Sequence, residues 1–131
     1  MTEAANAIGH KEIMVGFKPI DDLHREFEAI LAALNSPDEA EYGEDLLALH
    51  EHLLRHFSTE EQFMLQENYS HYQRHKRAHE HMLEACAETR RRFDGNDIDG
   101  VKLFSRELLN WFAIHAQTED AELAQYLRGE R

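Results

Sequence analysis

In the stretch HFSTEEQFMLQENYSHYQRHKRAH, His56 and Glu60 stand four residues apart, and so do His75 and His79. A residue and its i+4 neighbour share one face of a helix. The stretch therefore offers an imidazole and a carboxylate from one helix and two imidazoles from the next. Such donors suit iron, zinc, copper or manganese. A site held between two helices needs donors from elsewhere as well, and His24, His115 and Asp120 are candidates. Asp120 follows His115 by five residues, about 140° around a straight helix, so the two should not share a face. A break near Gln117-Thr118, with Thr118 capping a new turn, would let both point inward. One metal seldom takes seven such ligands, whereas two metals sharing bridging carboxylates would use them all.

The elements that must carry these residues are legible in the apolar spacing. A first helix is expected from about Asp21 to Asn35, with Leu23, Phe27, Ile30, Leu31 and Leu34 as its stripe. Ahead of it, residues 1–20 read as an irregular arm, because Gly9, Gly16 and Pro19 interrupt helix. Ser36, Pro37 and Glu39 form a capping-box signal for a second helix, from about Pro37 to Gln66. Its apolar side includes Leu49, Leu53, Phe57 and Met64. Ser70 with Gln73 suggests a second box, opening a third helix with Tyr72, His75, His79, Met82 and Cys86 in its seam. The run Asp94-Gly95-Asn96-Asp97 ends it. A fourth helix follows with Val101, Phe104, Leu108, Trp111 and His115, and a short last helix starts near Thr118. No strand pattern stands out. The expected fold is all-α: an up-down-up-down four-helix bundle over residues 21–127, in a single domain spanning 1–131. In that topology every candidate ligand lies near the same end of the bundle. An unpartnered imidazole in an apolar stripe is costly, and shared metal coordination would satisfy all five.

Composition narrows the partners. The chain has 26 Asp plus Glu against 14 Lys plus Arg, a formal charge of −12. That balance argues against nucleic acid or an anionic membrane. Cys86 is the only cysteine, which fits a reducing, cytoplasmic setting. No apolar run reaches membrane-spanning length, and the N-terminus lacks the order of a secretory signal. Of the ten histidines, His50, His52, His71 and His81 are expected to be exposed or intermediate and not ligands. Helical spacing leaves His52 and His71 an auxiliary role, since they precede His56 and His75 by four residues. Cys86, Met64, Met82 and Trp111 are expected in the core, and Arg90-Arg91-Arg92 at a solvated helix end.

The residues that carry the pattern are Asp21-x-x-His24, His56-Phe57-x-x-Glu60-Glu61, Tyr69 followed by His75-x-x-x-His79, and Trp111-x-x-x-His115-x-x-x-x-Asp120. In order and spacing the chain resembles the hemerythrins, most closely single-domain bacterial hemerythrins, from about residue 13 to 127. The resemblance implies two non-haem irons with an oxo or hydroxo bridge. It implies that His75, His79 and His115 hold one iron and that His24 and His56 hold the other, with Glu60 and Asp120 bridging. It implies reversible dioxygen binding at an open position on the two-histidine iron. The matching pattern departs at two places. The arm position that usually holds tryptophan is His10, and the leucine that borders the family's oxygen pocket is replaced by Phe112. The expected role is oxygen storage, delivery or sensing by a monomer that is not an enzyme; a lone domain favours a carrier over a sensor. The alternatives are a di-iron oxidase or peroxidase, a nitric-oxide-handling enzyme, and iron storage or metal detoxification. Oxygen-activating bundle enzymes use more carboxylates, in paired Glu-x-x-His motifs, which this chain lacks.

Overall fold

The computed structural model describes residues 13–34 and 39–130. Four helices account for most of them: α1 (Lys18–Leu34), α2 (Tyr42–Gln66), α3 (Tyr72–Asp94) and α4 (Ile98–His115). A 3-10 turn, Glu39–Glu41, precedes α2, and a π turn, Ala116–Asp120, joins α4 to a short α5 (Ala121–Leu127). Each long helix packs on its chain neighbour, and α1 closes the ring against α4. This is the expected all-α, up-down-up-down bundle, without strands among the described residues.

Several boundaries differ from the sequence reading. The first helix begins at Lys18, so residues 18–20 are not part of an irregular arm. Pro19 lies in the first turn, where its missing N–H has no intrahelical partner to lose. The Phe17 carbonyl accepts from the Ile20 and Asp21 amides at 3.0 and 2.9 Å and starts the helix. Of the first capping box, Ser36 and Pro37 lie outside the described residues, as do His10 and Asn35. α2 itself starts at Tyr42 with no side-chain cap. The Ser70/Gln73 box is not made either: α3 starts at Tyr72, with His71 before it and no side-chain cap. Asn68 takes a left-handed turn there, φ 55°, and the Tyr69 amide returns to the Met64 carbonyl at 2.9 Å. The cap that does form is Asp97, which accepts from the Gly100 amide at 2.9 Å and opens α4.

The buried apolar side chains fall into two groups. A long core holds Phe27, Leu31, Leu34, Leu46, Leu49, Leu53, Phe57, Met82, Cys86, Phe104, Leu108 and Phe112. A smaller one holds Ile20, Met64, Tyr69 and Leu123. Where the two groups meet lie the candidate ligands: His24 between Ile20 and Phe27, and Glu60 between Phe57 and Met64, with His56 and His115 at the end of the long core. The bundle thus seals a polar layer between two apolar plugs. Cys86 is fully buried and burial pushes its thiol up to about 11, which makes it inert packing.

The arm is tied down by Asp21. Its carboxylate accepts from the Val15 amide at 2.7 Å and the Gly16 amide at 3.2 Å. Gly16 adopts φ 83°, open to glycine at little cost. Asp21→Ala should remove both bonds and lower stability by about 1.5–3 kcal/mol, the usual worth of bonds to a charged group. A thermal melt reads that loss, and hydrogen exchange should speed up first at Val15 and Gly16. Unchanged exchange there would show that Asp21 does not hold the arm.

Candidate metal centre

His24 from α1, His56 and Glu60 from α2, His75 and His79 from α3, His115 from α4 and Asp120 from the π turn meet in the sealed layer. All seven are buried, Glu60 and Asp120 completely. Two overlapping sets could each hold an ion: Glu60, His75, His79, His115 and Asp120, and His24, His56, Glu60 and Asp120. Within each set the ligand atoms lie within 4.8 Å of one another.

The carboxylates belong to both sets, and each turns one oxygen to each side. Glu60 Oε2 lies 2.9 Å from His56 Nε2, while Oε1 lies 3.1 Å from His79 Nε2 and 3.4 Å from His75 Nε2. Asp120 Oδ2 lies 2.9 Å from His24 Nε2, while Oδ1 lies 3.0 Å from His75 Nε2 and 3.2 Å from His115 Nε2. Five of these atoms are buried without a properly aligned hydrogen bond: Glu60 Oε1, Asp120 Oδ1 and the Nε2 atoms of His75, His79 and His115. They approach one another closely but do not point donor to acceptor. Unsatisfied buried polar atoms are rare and costly. Here all five belong to one candidate set and converge, which is what a cation would satisfy.

The π turn explains how His115 and Asp120 share a face. The expected break at Gln117-Thr118 does not occur. The helix continues, with the Ala121 amide donating to the Ala116 carbonyl five residues back. One extra residue in the turn brings i+5 to where i+4 would stand, a bulge often found at functional sites. Thr118 is not a cap; its hydroxyl donates back to the Ile114 carbonyl at 2.7 Å. The same turn leaves Glu119 on the outer side of His115, whose Nδ1–H donates to Glu119 Oε1 at 2.9 Å.

The ring nitrogens facing away from the centre are also held. His79 Nδ1–H donates to Glu61 Oε2 at 2.9 Å, and His24 Nδ1–H donates to the Ile13 carbonyl at 2.5 Å. Such outer partners fix tautomer and ring orientation in metal sites. Two rings are clamped by stacking as well: His79 on Phe57 with centroids 4.0 Å apart, and His115 on Trp111 at 4.4 Å. Trp111 is half-buried. Phe112 lies edge-on to His24 at 4.9 Å and packs on Phe27 at 4.2 Å, on the two-histidine side.

His52 corrects the sequence reading. It was expected at or near the surface, yet it is 3% exposed, against Phe27. It belongs to neither candidate set but touches His56, with His52 Nε2 3.3 Å from His56 Nδ1. Burial first, then the neighbouring His56 and Arg55, lower its pKa to about 4, so it is neutral near pH 7. The remaining histidines are as expected: His50 is half-buried against Arg90, and His71 and His81 are exposed. Arg91 and Arg92 are solvated and pair with Glu88, whereas Arg90 is half-buried. The unrecognised partners Glu61 and Glu119 were detectable in principle: one adjoins Glu60, the other stands four residues after His115.

Charge among the seven side chains is self-compensating. Burial lowers the pKa of His75 and His115, but the facing carboxylates reverse that. Asp120 and Glu60 raise His75 to about 9; Asp120, aided by Glu119 and Glu60, raises His115 to about 10. His24 is likewise raised against burial, chiefly by Asp120. Burial and the Asp120 charge push Glu60 up, but His56 and His75 outweigh them and hold it ionised, well below the usual carboxylate range. Burial pushes Asp120 up too, and His115, His24 and His75 together keep it ionised. At pH 7 the metal-free centre therefore stores protons on imidazoles that a cation must displace. Loading zinc at pH 7 should release about two protons per chain, and affinity should rise between pH 6 and 8 as that competition weakens. Calorimetry in two buffers of different ionisation enthalpy counts the protons; zero release would show that the imidazoles are already neutral.

A family model described as "Hemerythrin HHE cation binding domain" matches residues 15–127. A bacteriohemerythrin of Ralstonia nicotianae is 28% identical over 113 residues, which cover 86% of this chain and 82% of that one. The myohemerythrin of Sipunculus nudus is 31% identical over 107 residues, 81% of each chain. A bacteriohemerythrin of Methylococcus capsulatus is 26% identical over 110 residues, 81% of this chain and 82% of its own.

Proposed function

The chain belongs to the hemerythrin family, and from that premise we propose that it binds dioxygen reversibly at a centre of two non-haem irons. The observation that carries this reading is the pair of shared carboxylates, Glu60 and Asp120, each with one oxygen toward each histidine set. His75, His79 and His115 would hold one iron and His24 and His56 the other. When bound, two ferrous ions supply the two electrons that reversible dioxygen binding uses.

The chain's own residues do the rest. The side with two histidines offers fewer protein donors, and so room for a small ligand. Phe112 and Phe27 wall that side with hydrocarbon and exclude water. Glu61, Glu119 and the Ile13 carbonyl hold the imidazoles in place, so the donors are arranged before a cation arrives. Five neutral imidazoles against two carboxylates place little negative charge on the metals, which supports reversible binding over oxidative turnover.

The test is an anaerobic, ferrous preparation exposed to oxygen while its absorption is followed. A visible ligand-to-iron charge-transfer band should grow and then vanish under argon, with two irons per chain by metal analysis. Irreversible oxidation with turnover of an added reductant would make the protein an oxidase or peroxidase instead. One metal or none would sink the two-iron reading.

A further inference from the structure

His52 stands between the candidate centre and the surface, and its hydrogen bonds have a definite polarity. Four groups form one line. Arg55 Nη2 lies 3.1 Å from His52 Nδ1, His52 Nε2 lies 3.3 Å from His56 Nδ1, and His56 Nε2 lies 2.9 Å from Glu60 Oε2. Arg55 can only donate, so His52 Nδ1 accepts. A neutral His52 then carries its proton on Nε2 and donates to His56 Nδ1. A neutral His56 in turn carries its proton on Nε2 and donates to the Glu60 carboxylate. Every bond in the line is satisfied, and all point inward.

That polarity is incompatible with His56 as a metal ligand through Nε2. A metal needs the Nε2 lone pair, which forces the His56 proton onto Nδ1. His52 Nε2 must then accept, and the His52 proton must move to Nδ1. An acceptor for it is in place. Glu26 Oε1, on α1, lies 3.6 Å from His52 Nδ1, and the Leu23 carbonyl lies beside the ring as a second acceptor. Arg55 already donates to Glu26 at 2.7 Å, so it can leave His52 without losing its carboxylate partner. Both imidazoles keep one proton throughout, and no net charge moves. Glu26 is half-exposed, 52% at its side chain, so the line ends at solvent, through which protons exchange.

We propose that His52 is a positioning residue whose tautomer reverses when the centre is loaded. The line runs inward, Arg55 to His52 to His56 to Glu60, in the metal-free protein. It runs outward, His56 to His52 to Glu26, when metal is bound. This rests on the two-metal reading, with His56 as a ligand of the two-histidine site. The switch gives that site a neutral outer partner, where His79 and His115 on the other side have carboxylates. It also couples loading of the centre to the Glu26–Arg55 pair on the surface.

Zinc, which is diamagnetic, tests this without oxygen chemistry. In the uniformly ¹⁵N-labelled full chain, long-range ¹H–¹⁵N correlation spectra report which ring nitrogen carries each proton. His52 should show Nε2–H without metal and Nδ1–H with two zincs bound, and His56 should change in the same sense. His52→Phe keeps the stack on Phe27 but cannot accept from His56. It should weaken the second zinc by about 10–100-fold in a chelator competition, the usual cost of losing an outer partner, and leave the first unchanged. His52→Gln, whose carbonyl oxygen can accept, should recover most of that affinity. Full loading with the same His52 tautomer in both states would overturn the proposal, and so would wild-type zinc affinity in His52→Phe. If His52→Phe fails to fold, the wild-type spectra and His52→Gln still decide. Failure of the wild-type chain to take up two zincs would instead overturn the two-metal reading, and this inference with it.

Discussion

Asp120→Ala should leave the chain unable to hold more than one metal. Asp120 is the carboxylate whose two oxygens face His24 on one side and His75 and His115 on the other. No nearby group can replace it, because the π turn that turns Asp120 inward turns Glu119 outward onto the back of His115. Losing a direct bridge should cost more than the roughly 10–100-fold that follows from losing an outer partner. Asp120→Asn is the control for shape. It keeps the volume and one oxygen but not the charge, and should lose the second metal as well. Metal analysis after removal of loosely bound ions reads the outcome, with circular dichroism to show that the helices persist. Two metals retained in Asp120→Ala would show that Asp120 bridges nothing. The metal-free variant should also release fewer protons on loading, since Asp120 is a main cause of the raised His75 and His115 values.

Phe112→Ala should combine a large loss of stability with a faster loss of the oxygenated protein. The ring is 3% exposed and fills the space between Phe27 and His24. Removing a buried Phe side chain costs about 3–5 kcal/mol, a large part of the roughly 5–15 kcal/mol that holds a domain folded. A drop in melting temperature on the order of 10–20 °C follows. The cavity would open toward the two-histidine side and admit water where hydrocarbon now excludes it. Oxidation to the ferric protein in air should quicken by at least about tenfold, a barrier change of about 1.4 kcal/mol. Phe112→Leu keeps most of the volume and should show a much smaller change in both. The decay of the visible band in air gives the rate. An unchanged rate in Phe112→Ala, with two irons bound, would mean that Phe112 does not border the ligand pocket.

The local part of this protein is written in short-range spacing. Phe27, Leu31 and Leu34, or Tyr72, His75, His79, Met82 and Cys86, repeat at three and four residues, and backbone hydrogen bonding alone turns that period into a helical face. The pairs His56/Glu60 and His75/His79 follow from the same geometry, as does the meeting of all seven residues at one level once the helices alternate in direction. Short connections leave the chain few other ways to pair four such faces.

What only the tertiary structure decided is whatever depends on neighbours distant in sequence. Helical spacing set His52 one turn before His56, but spacing alone does not tell a buried partner from a solvated one, as exposed His71 before His75 shows. His52 is buried because Phe27 and Glu26 of α1 cover it. The caps suggested by Ser70 and Thr118 did not form, since a cap signal states a local preference of about 1 kcal/mol that packing overrides. Asp120 reaches the centre through a π turn, not a break. Trading i+4 for i+5 bonds over one turn costs less than leaving a carboxylate buried away from its histidines. Sequence spacing thus determined which side chains could meet, and packing across the bundle determined which oxygen or nitrogen each one turns toward the others.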